Sequence, residues 1–410
     1  MAQAANKATA LWVLRRLREA GFEALFAGGC VRDMLLGVRS NDYDVATNAT
    51  PREVRKLFRR VLLVGAKFGV AMVIHKRQRV EVTTFRSDLS YSDGRRPEGV
   101  RFTTARQDAL RRDFTINGLF YDPLTDRVFD YIGGRRDLDR NLIRAIGPAD
   151  KRFAEDYLRM IRAVRFSERL GFPIAPATAK AIRRLAPKVA AISGERIFDE
   201  LKKMLSLPSA GQALRTLEDC RLAEVILPEL VGGDLWPVAI RRVELLAGKR
   251  DFALTMTGLL CQLPPRTISA LCRRWGASND LRDGFLWCAE NLSRWPVAVD
   301  MPLADFKRLL AGRHWRRLLS LWRAQERIET GRQIACRRIA RRAAAIPAEE
   351  IAPPPLVTGE DLKDLGLRQG LRIGQLLRQL YDEQLEQRLA SRQAALTRAR
   401  ALVRDEPNST

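Results

Sequence analysis

The first 140 residues mix helical and strand patterns of apolar and polar positions. Residues 11–20 (LWVLRRLREA) have the spacing of an amphipathic helix that ends at Gly21. The segment EALFAGG then predicts a short buried strand, and GVAMVIH and RVEVTTF predict two further strands joined by a tight turn at KRQ. Because both periods occur here, we expect this part of the chain to form an α+β domain.

A polar stretch separates these strands from the next apolar run. Between Arg86 and Gln107 the sequence has many charges, glycine and proline, and little periodicity, so it predicts a mobile loop. From about residue 140 to the C terminus the pattern is helical and rich in arginine, with few strand signals. The prolines in the segment AAIPAEEIAPPPLV interrupt this helical pattern. The predicted domains are a head (1–140), a neck (141–210), a body (211–345) and a tail (346–410).

Composition narrows the function classes. Lys and Arg number 72 against 48 Asp and Glu, a formal charge of +24, which favours a polyanionic partner but is also compatible with solubility alone. The six cysteines form no CxxC pair and only two histidines exist, so neither a zinc site nor a disulfide is predicted. No run resembles a membrane span or a signal peptide, which predicts a cytoplasmic protein.

The first candidate chemistry lies in GGCVRDMLLGVRSNDYDVAT. Asp42 and Asp44 are one residue apart, and on a strand both carboxylates would project from the same face and could share metal ions. Upstream, Gly28 and Gly29 allow a tight turn before a short helix that carries Arg32. These features predict a phosphate cradle beside a magnesium site. An isolated Asp-x-Asp would more often be a solvated turn.

Two downstream motifs extend this interpretation. In RRDFTIN, Asp113 is a candidate third carboxylate and Arg112 a candidate phosphate ligand, although the same string could be an ion-paired helix start. In EDYLRMIRAVRF, about 100° per residue separates a charged helix face with Asp156 and Arg159 from an apolar face. A solvated helix with a weak ion pair is the alternative.

Taken in this order, the motifs resemble the class II tRNA nucleotidyltransferases, the CCA-adding enzymes and bacterial poly(A) polymerases of the DNA polymerase beta superfamily. The resemblance covers residues 22 to about 205 and, more loosely, 356–396. It implies a polymerase beta-like head followed by all-helical neck, body and tail domains. It also implies that Asp156 and Arg159 read the pairing edge of the incoming base in place of a template.

The resemblance implies a set of site residues. The expected catalytic carboxylates are Asp42, Asp44 and Asp113, with Asp42 and Asp44 binding two Mg²⁺ ions. The expected nucleotide-binding residues are Gly29, Arg32, Arg112, Asp156, Arg159, Arg162 and Arg165. Of these, the four arginines at 32, 112, 162 and 165 are the expected phosphate ligands, and Gly29 is expected to contribute a backbone contact. The expected partners are the tRNA acceptor stem, ATP and CTP; no protein partner and no membrane are predicted. In the tail, Arg368, Gly370, Arg372 and Gly374 are candidates for contact with RNA phosphates.

Several activities remain open within this family. The segment with Tyr91, Asp93, Arg95, Arg96 and Pro97 lies where CCA-adding and A-adding enzymes carry a flexible loop that CC-adding relatives lack. We therefore expect a CCA-adding enzyme, with an A-adding specialist second.

Two further alternatives rank lower. Poly(A) polymerase ranks third, because Ala66 replaces a basic residue of those relatives and Met72 stands where they have a His-like one. A non-catalytic RNA-binding protein is least expected, since it would have no reason to retain three clustered carboxylates.

Overall fold

The computed structural model of the protein describes residues 2–40, 42–63, 68–88 and 99–404. Its strands are β1 (Ala24–Ala27), β2 (Asp44–Thr47), β3 (Val61–Leu62), β4 (Val70–His75), β5 (Gln78–Thr84), β6 (Arg86–Asp88), β7 (Val100–Phe102), β8 (Phe120–Asp122) and β9 (Arg127–Phe129). Seven of them form a sheet in the order β3-β4-β5-β2-β1-β8-β9, and β6 pairs with β7 separately.

The sheet is antiparallel except between β2 and β5. In that parallel pair Val45 lies beside Val82, so Asp44, the first residue of β2, lies beside Glu81, in the middle of β5. β4 and β5 form the expected hairpin, and its turn residues Lys76 and Arg77 both have positive φ, as two-residue hairpin turns require. The predicted α+β head and its strands are confirmed.

The helices that begin before residue 235 first alternate with these strands and then follow the last of them along the chain. They are α1 (Ala2–Glu19), α2 (Gly29–Leu35), α3 (Pro51–Leu57), α4 (Ala105–Arg111), α5 (Gly134–Asp139), α6 (Ala149–Glu155), α7 (Leu158–Leu170), α8 (Pro176–Leu185), α9 (Gly194–Leu205), α10 (Ala210–Asp219) and α11 (Ala223–Ile226). Short 3₁₀ helices occupy Thr115–Asn117 and Ala186–Ala191. The sheet packs through Leu25, Phe85 and Phe120 against Ala105 and Ala109 of α4.

The later helices are α12 (Leu235–Ala247), α13 (Phe252–Leu260), α14 (Pro265–Arg274), α15 (Asn279–Glu290), α16 (Leu303–Leu310), α17 (Trp315–Thr330), α18 (Ile334–Ala344), α19 (Ala348–Ile351), α20 (Gly359–Asp364), α21 (Leu371–Leu385) and α22 (Arg392–Arg404), with 3₁₀ turns at Leu292–Arg294 and Val297–Val299. Trp322, Phe306 and Leu318 belong to one apolar core, and Leu362, Leu380 and Ala395 to another. The all-helical second half is thus confirmed.

The chain divides into two compact units. The first comprises Met1–Trp236 with Arg273–Ala277, and the second comprises Pro237–Cys272 with Ser278–Thr410. The four-part division into head, neck, body and tail stays a prediction. Within the first unit Phe198 of α9 stacks on Trp275, with ring centroids 5.5 Å apart, which explains why residues 273–277 belong there.

The structure corrects two local predictions. The ends of the expected loop are ordered elements: Arg86–Asp88 pairs with Val100–Phe102, and α4 begins at Ala105, because these backbone groups satisfy one another in a ladder and a helix turn. The loop residues Tyr91 to Pro97, like Ala66, lie outside the described residues. Asp42, predicted on a strand, lies exposed just before β2, which starts at Asp44.

Two global features agree with the composition. All six cysteines are buried, so they serve as small apolar side chains. Within the described part of the chain, no helix combines the length and apolar character needed to cross a membrane.

Candidate active site

A cavity of about 890 Å³ lies in the first unit, beside the start of β2 and the middle of β5. Residues from several elements line it, among them Gly28 from the turn after β1, Asp44 from β2, Arg162 from α7 and Arg196 from α9. Its cationic lining residues are Arg32, Arg86, Arg111, Arg112, Arg159, Arg162, Arg165, Arg169, Arg196 and Lys203, and its carboxylates are Asp42, Asp44, Glu81, Asp113 and Asp156. The excess of cations suits a polyphosphate ligand.

Asp42, Asp44 and Glu81 supply the acidic end of this cavity. Burial, the nearby charge of Glu81 and that of Asp42 raise the pKa of Asp44 to about 6, against a smaller lowering by Arg112. Oxygen donors with crowded negative charge are what a divalent cation such as Mg²⁺ prefers. The donor set therefore fits a divalent metal. Among the described residues, no group of three or more His, Cys, Asp or Glu side chains is close enough together to hold a metal ion as the side chains stand.

Asp113 lies in the same cavity but is engaged differently from the expected third metal ligand. One carboxylate oxygen accepts hydrogen bonds from the Phe114 amide (2.8 Å) and the Asn117 side chain (3.1 Å). The other accepts hydrogen bonds from Nε and Nη2 of Arg162 (2.9 and 2.7 Å). These four hydrogen bonds occupy the roughly four acceptor positions of the Asp113 carboxylate. The structure therefore does not bring Asp113 together with Asp42 and Asp44 as a metal-binding trio.

The electrostatics of Asp113 follow from these contacts. Burial alone would raise its pKa, but the charge of Arg162 and the hydrogen bonds from Asn117, Arg162 and Phe114 outweigh it and hold the pKa at about 2. The carboxylate is therefore charged at neutral pH and fixes the position of the Arg162 guanidinium, which remains partly exposed to the cavity.

Arg112 is positioned by three contacts. Its Nε and Nη2 donate to Asp108 (3.1 and 2.9 Å), Nη1 donates to the Asn117 carbonyl (3.2 Å), and the guanidinium lies 4.9 Å from the Phe120 ring centroid. Gly28, with φ +73°, leaves room for it: a Cβ there would lie 2.7 Å from Nη1 of Arg112. The predicted contact residue Gly29 also lines the cavity, but a Cβ there would meet only an ordinary 3.7 Å neighbour.

Two predicted phosphate ligands, Arg32 and Arg165, are buried and paired with carboxylates. Arg32, 1% exposed, donates to Asp33 and Asn117, and Arg165 pairs with buried Glu200. Buried carboxylates thus compensate both guanidinium charges, because an unpaired buried charge would be costly. Arg32, Arg162 and Arg165 all lie within 5.4 Å of the ring centroid of Phe166. The ring therefore joins three of the four predicted phosphate arginines in one cluster.

The predicted base-reading residues, Asp156 and Arg159, also line the cavity. One oxygen of Asp156 accepts a hydrogen bond from Nη2 of Arg196 (2.7 Å), and the other accepts one from the Leu158 amide (3.0 Å). The second bond fixes Asp156 at the start of α7. Arg159 donates to Glu155, to the Arg152 carbonyl (2.8 Å) and to the Arg111 carbonyl (3.2 Å). Both side chains are therefore held by neighbours at the cavity wall.

Glu81, Arg196 and Phe166 are among the lining residues that sequence reasoning missed. Glu81 stands in RVEVTTF, whose alternation was recognised, but only the strand order places it beside Asp44. Arg196 lies on α9, outside the motifs that suggested chemistry. Phe166 is the last residue of EDYLRMIRAVRF, and no role was predicted for it. The signal in the sequence was Glu81, the only acidic residue of RVEVTTF, at a polar position of the alternating strand.

Comparisons with known proteins fit this geometry. The family model "Poly A polymerase head domain" matches residues 24–144, and "Probable RNA and SrmB- binding site of polymerase A" matches residues 171–232. The CCA-adding enzyme of Lactobacillus gasseri is 33% identical over 393 residues, which is 95% of each chain. The chain belongs to the class II tRNA nucleotidyltransferase and bacterial poly(A) polymerase family. It is a nucleotidyltransferase, and the polymerase beta-like head inferred from its motifs is confirmed.

Other members of this family match as well. Poly(A) polymerase I of Salmonella typhi is 42% identical over 232 residues, 54% of this chain and 50% of that protein. Among solved structures, the CCA-adding enzyme of Bacillus stearothermophilus in complex with CTP is similar with a TM-score of 0.78 and 30% identity, covering 97% of this chain and 98% of that one. The likeness to a CCA-adding enzyme thus extends along both units, whereas the poly(A) polymerase match covers half.

Proposed function

We propose that this nucleotidyltransferase is a CCA-adding enzyme that adds C, C and A in turn to the tRNA 3′ end from CTP and ATP, releasing pyrophosphate. The observation that carries the proposal is that one cavity is lined both by Asp42 and Asp44 and by Asp156 and Arg159. A single bound nucleotide could therefore have its phosphates and its base recognised at once. The full-length likeness to a CCA-adding enzyme that binds CTP supports the same assignment.

The acidic end of the cavity would perform the transfer. Asp42 and Asp44 would hold Mg²⁺, and we add Glu81 as the third carboxylate in place of Asp113. Bound there, divalent metal supplies a Lewis acid that activates the 3′ hydroxyl and neutralises the triphosphate; two ions are the proposed number. Arg112 and Arg162, held by Asp108 and Asp113, would bind the phosphates without moving when the nucleotide arrives.

Base choice would be made by Asp156 and Arg159. A carboxylate has about four acceptor positions, so Asp156 can hold Arg196 and the Leu158 amide and still accept from an exocyclic amine. Cytosine and adenine carry that amine at the pairing edge, while uracil lacks it and would leave this acceptor position of Asp156 unsatisfied. Arg196 is then a positioning residue, because it fixes the orientation of Asp156.

The product of the reaction is tested directly with three tRNA transcripts that end before CCA, after C and after CC. Each is incubated with CTP and ATP separately and together, and products are resolved at single-nucleotide length. Completion of all three to CCA, followed by arrest, supports the proposal. Addition of one A only to the CC-ended transcript would identify an A-adding enzyme, and long A tails a poly(A) polymerase.

The remaining outcome of that experiment is no extension of any transcript, which would revive the non-catalytic RNA-binding alternative. Poly(A) polymerase, ranked third from the sequence, becomes the second candidate because of the 42% identity to the Salmonella typhi protein over about half of the chain. The cytoplasmic location, the choice of Mg²⁺ and contact with the tRNA acceptor stem stay predictions, as does contact through the tail arginines Arg368 and Arg372.

A further inference from the structure

Asn117 connects two of the predicted phosphate arginines, although the proposed function leaves it without a role. The residue is 7% exposed and ends the 3₁₀ helix Thr115–Asn117 of RRDFTIN. Its Oδ1 accepts a hydrogen bond from Nη1 of Arg32 (2.6 Å), and its Nδ2 donates one to Asp113 (3.1 Å). Asp113 in turn accepts two hydrogen bonds from Arg162 (2.9 and 2.7 Å). Asn117 therefore stands between Arg32 and the carboxylate that fixes Arg162.

The main chain of Asn117 reaches a third predicted phosphate ligand. Its carbonyl oxygen accepts a hydrogen bond from Nη1 of Arg112 (3.2 Å). All three arginines line the nucleotide cavity, as does Asn117 itself. One residue thus contacts Arg32 and Arg112 directly and holds Arg162 through Asp113.

The other side of Arg32 leads this chain of hydrogen bonds back to α7. Nε and Nη2 of Arg32 donate to one oxygen of Asp33 (2.8 and 2.6 Å), and the other oxygen accepts from Nη2 of Arg169 (3.2 Å). Arg162 and Arg169 lie on α7, and their spacing is about two turns of the helix. The chain therefore begins and ends on one face of α7. We call it the Asn117 frame; its members are Arg169, Asp33, Arg32, Asn117, Asp113 and Arg162.

An asparagine side chain suits the middle of the Asn117 frame. A guanidinium group only donates hydrogen bonds and a charged carboxylate only accepts them, so a link between Arg32 and Asp113 needs both an acceptor and a donor. The amide of Asn117 offers its oxygen to Arg32 and its nitrogen to Asp113. A rotated amide would oppose donor to donor on one side and acceptor to acceptor on the other. The two partners thus fix the orientation of the amide.

We propose that Asn117 is a positioning residue for triphosphate binding, because it fixes three phosphate arginines in one arrangement before the nucleotide arrives. The proposal deepens the proposed function, from which it takes the assignment of these arginines to the phosphates. Guanidinium groups repel one another, so arginines without fixed partners would spread apart and the nucleotide would have to gather them. Groups that are already oriented need no such rearrangement, and part of the affinity for phosphates therefore depends on Asn117.

The test measures by calorimetry how tightly the protein binds inorganic tripolyphosphate, CTP and ATP. Asn117→Leu is close to the original in size and removes both side-chain hydrogen bonds, so it should raise the Kd of all three ligands about tenfold. The control is Asn291→Leu, at a buried asparagine of the second unit whose side chain donates to the Trp287 carbonyl (2.8 Å). Urea unfolding establishes that each variant is folded at the temperature of the measurement. Equal Kd values in the two variants would overturn the proposal.

An exchange of the two side chains tests the contact between Asn117 and Asp113 without changing their size. Asn117→Asp places two carboxylates against each other, and Asp113→Asn removes the charge that holds Arg162; each should raise the Kd for tripolyphosphate about tenfold. In Asp113→Asn/Asn117→Asp an amide again faces a carboxylate, so the combined effect should be smaller than the product of the two single effects. Single effects that simply multiply would show that the two side chains act independently, which contradicts the proposal.

Nucleotide incorporation separates this proposal from the proposed function. Asn117→Leu should raise the KM for CTP and ATP alike by about tenfold and leave their selection over UTP and GTP unchanged, because it does not alter the base-reading residues. If wild-type protein extends tRNA but Asn117→Leu has the KM values of its control, only the positioning proposal fails. If wild-type protein binds tripolyphosphate in a way that depends on Asn117 yet adds no nucleotide, only the proposed function fails.

Discussion

The guanidinium of Arg162 donates two hydrogen bonds, of 2.9 and 2.7 Å, to a single carboxylate oxygen of Asp113. The two residues are 49 positions apart, one after α4 and the other on α7. The contact therefore links the segment after α4, the helix that packs against the sheet, to α7, which carries the predicted base-reading residue Arg159. It also explains why Asp113, though close to the nucleotide cavity, is a positioning residue in our proposal.

This contact predicts how stability depends on pH. The folded-state pKa of Asp113 is about 2, below its ordinary value of 3.8. A lowered carboxyl pKa contributes stability above the unfolded-state pKa, and that contribution is lost as the pH falls from about 4 to about 2. Asp113→Asn should therefore lose about 2 kcal/mol of unfolding free energy at pH 7, and the difference from wild type should shrink at pH 3.

Urea unfolding of wild type and Asp113→Asn at pH 7, 5, 4 and 3 measures this difference. Because other carboxylates titrate in both proteins, only the difference between the two curves is informative. A difference that stays constant down to pH 3 would contradict the assigned pairing.

Glu81 and Asp44 predict a second outcome. If both carboxylates hold the divalent metal, Glu81→Gln should reduce incorporation of CTP and ATP alike by about 100-fold, and Asp44→Ala should abolish it. tRNA binding should stay near wild type in both variants. Thr83→Val, two positions along β5 from Glu81 and also at the cavity, is the matched control. Single-turnover incorporation with saturating nucleotide makes the comparison, and normal rates in Glu81→Gln would remove Glu81 from the site.

Base choice depends on Asp156 and its partner Arg196. Asp156→Ala should relax selection of CTP and ATP over UTP and GTP more than it raises their KM. Arg196→Met should relax selection less, because Asp156 remains but loses the donor that orients it (2.7 Å). The ratio of kcat/KM for ATP and UTP on a CC-ended tRNA measures the effect. Unchanged ratios in both variants would place base reading elsewhere.

Gly28 offers a paired test of Arg112. Gly28 and Gly21 both have positive φ, so alanine strains the backbone at either position. Only at Gly28 would the new methyl group meet Arg112, at 2.7 Å, whereas nothing lies within 4 Å of a Cβ at Gly21. We expect Gly28→Ala to raise the KM for CTP and ATP about tenfold, at equal temperature below unfolding, and Gly21→Ala to leave it unchanged. Equal KM values would show that Arg112 has no part in phosphate binding.

Arg165 and Glu200 predict an effect on stability. Both are buried and paired, so Arg165→Met removes the guanidinium at one Glu200 oxygen, while Lys203 still donates to the other (3.2 Å). The substitution should cost about 1 to 3 kcal/mol of unfolding free energy. The double variant Arg165→Met/Glu200→Leu should recover most of that loss, because two apolar side chains need no compensation. Chemical denaturation gives both numbers. A double variant as unstable as the single one would mean that the loss arises from packing with Phe166.

The sequence by itself determined the elements and the order of the motifs. Alternating and helical periods located β1, the β4–β5 hairpin and the helices after residue 140, since local side-chain spacing sets these patterns. It also selected residues that the structure does gather at one cavity: Asp42 with Asp44, Arg112, and Asp156 with Arg159. It missed the β6–β7 pairing, because a short polar ribbon has no periodicity to detect.

Only the tertiary structure decided which of those side chains contact one another. Glu81 comes beside Asp44 because β5 runs parallel to β2, a neighbour relation between strands separated by two others in sequence. Asp113 leaves the expected carboxylate trio because Arg162 and Asn117 saturate its oxygens. Hydrogen bonds and buried charges depend on distances in space, and a one-dimensional pattern does not contain these distances.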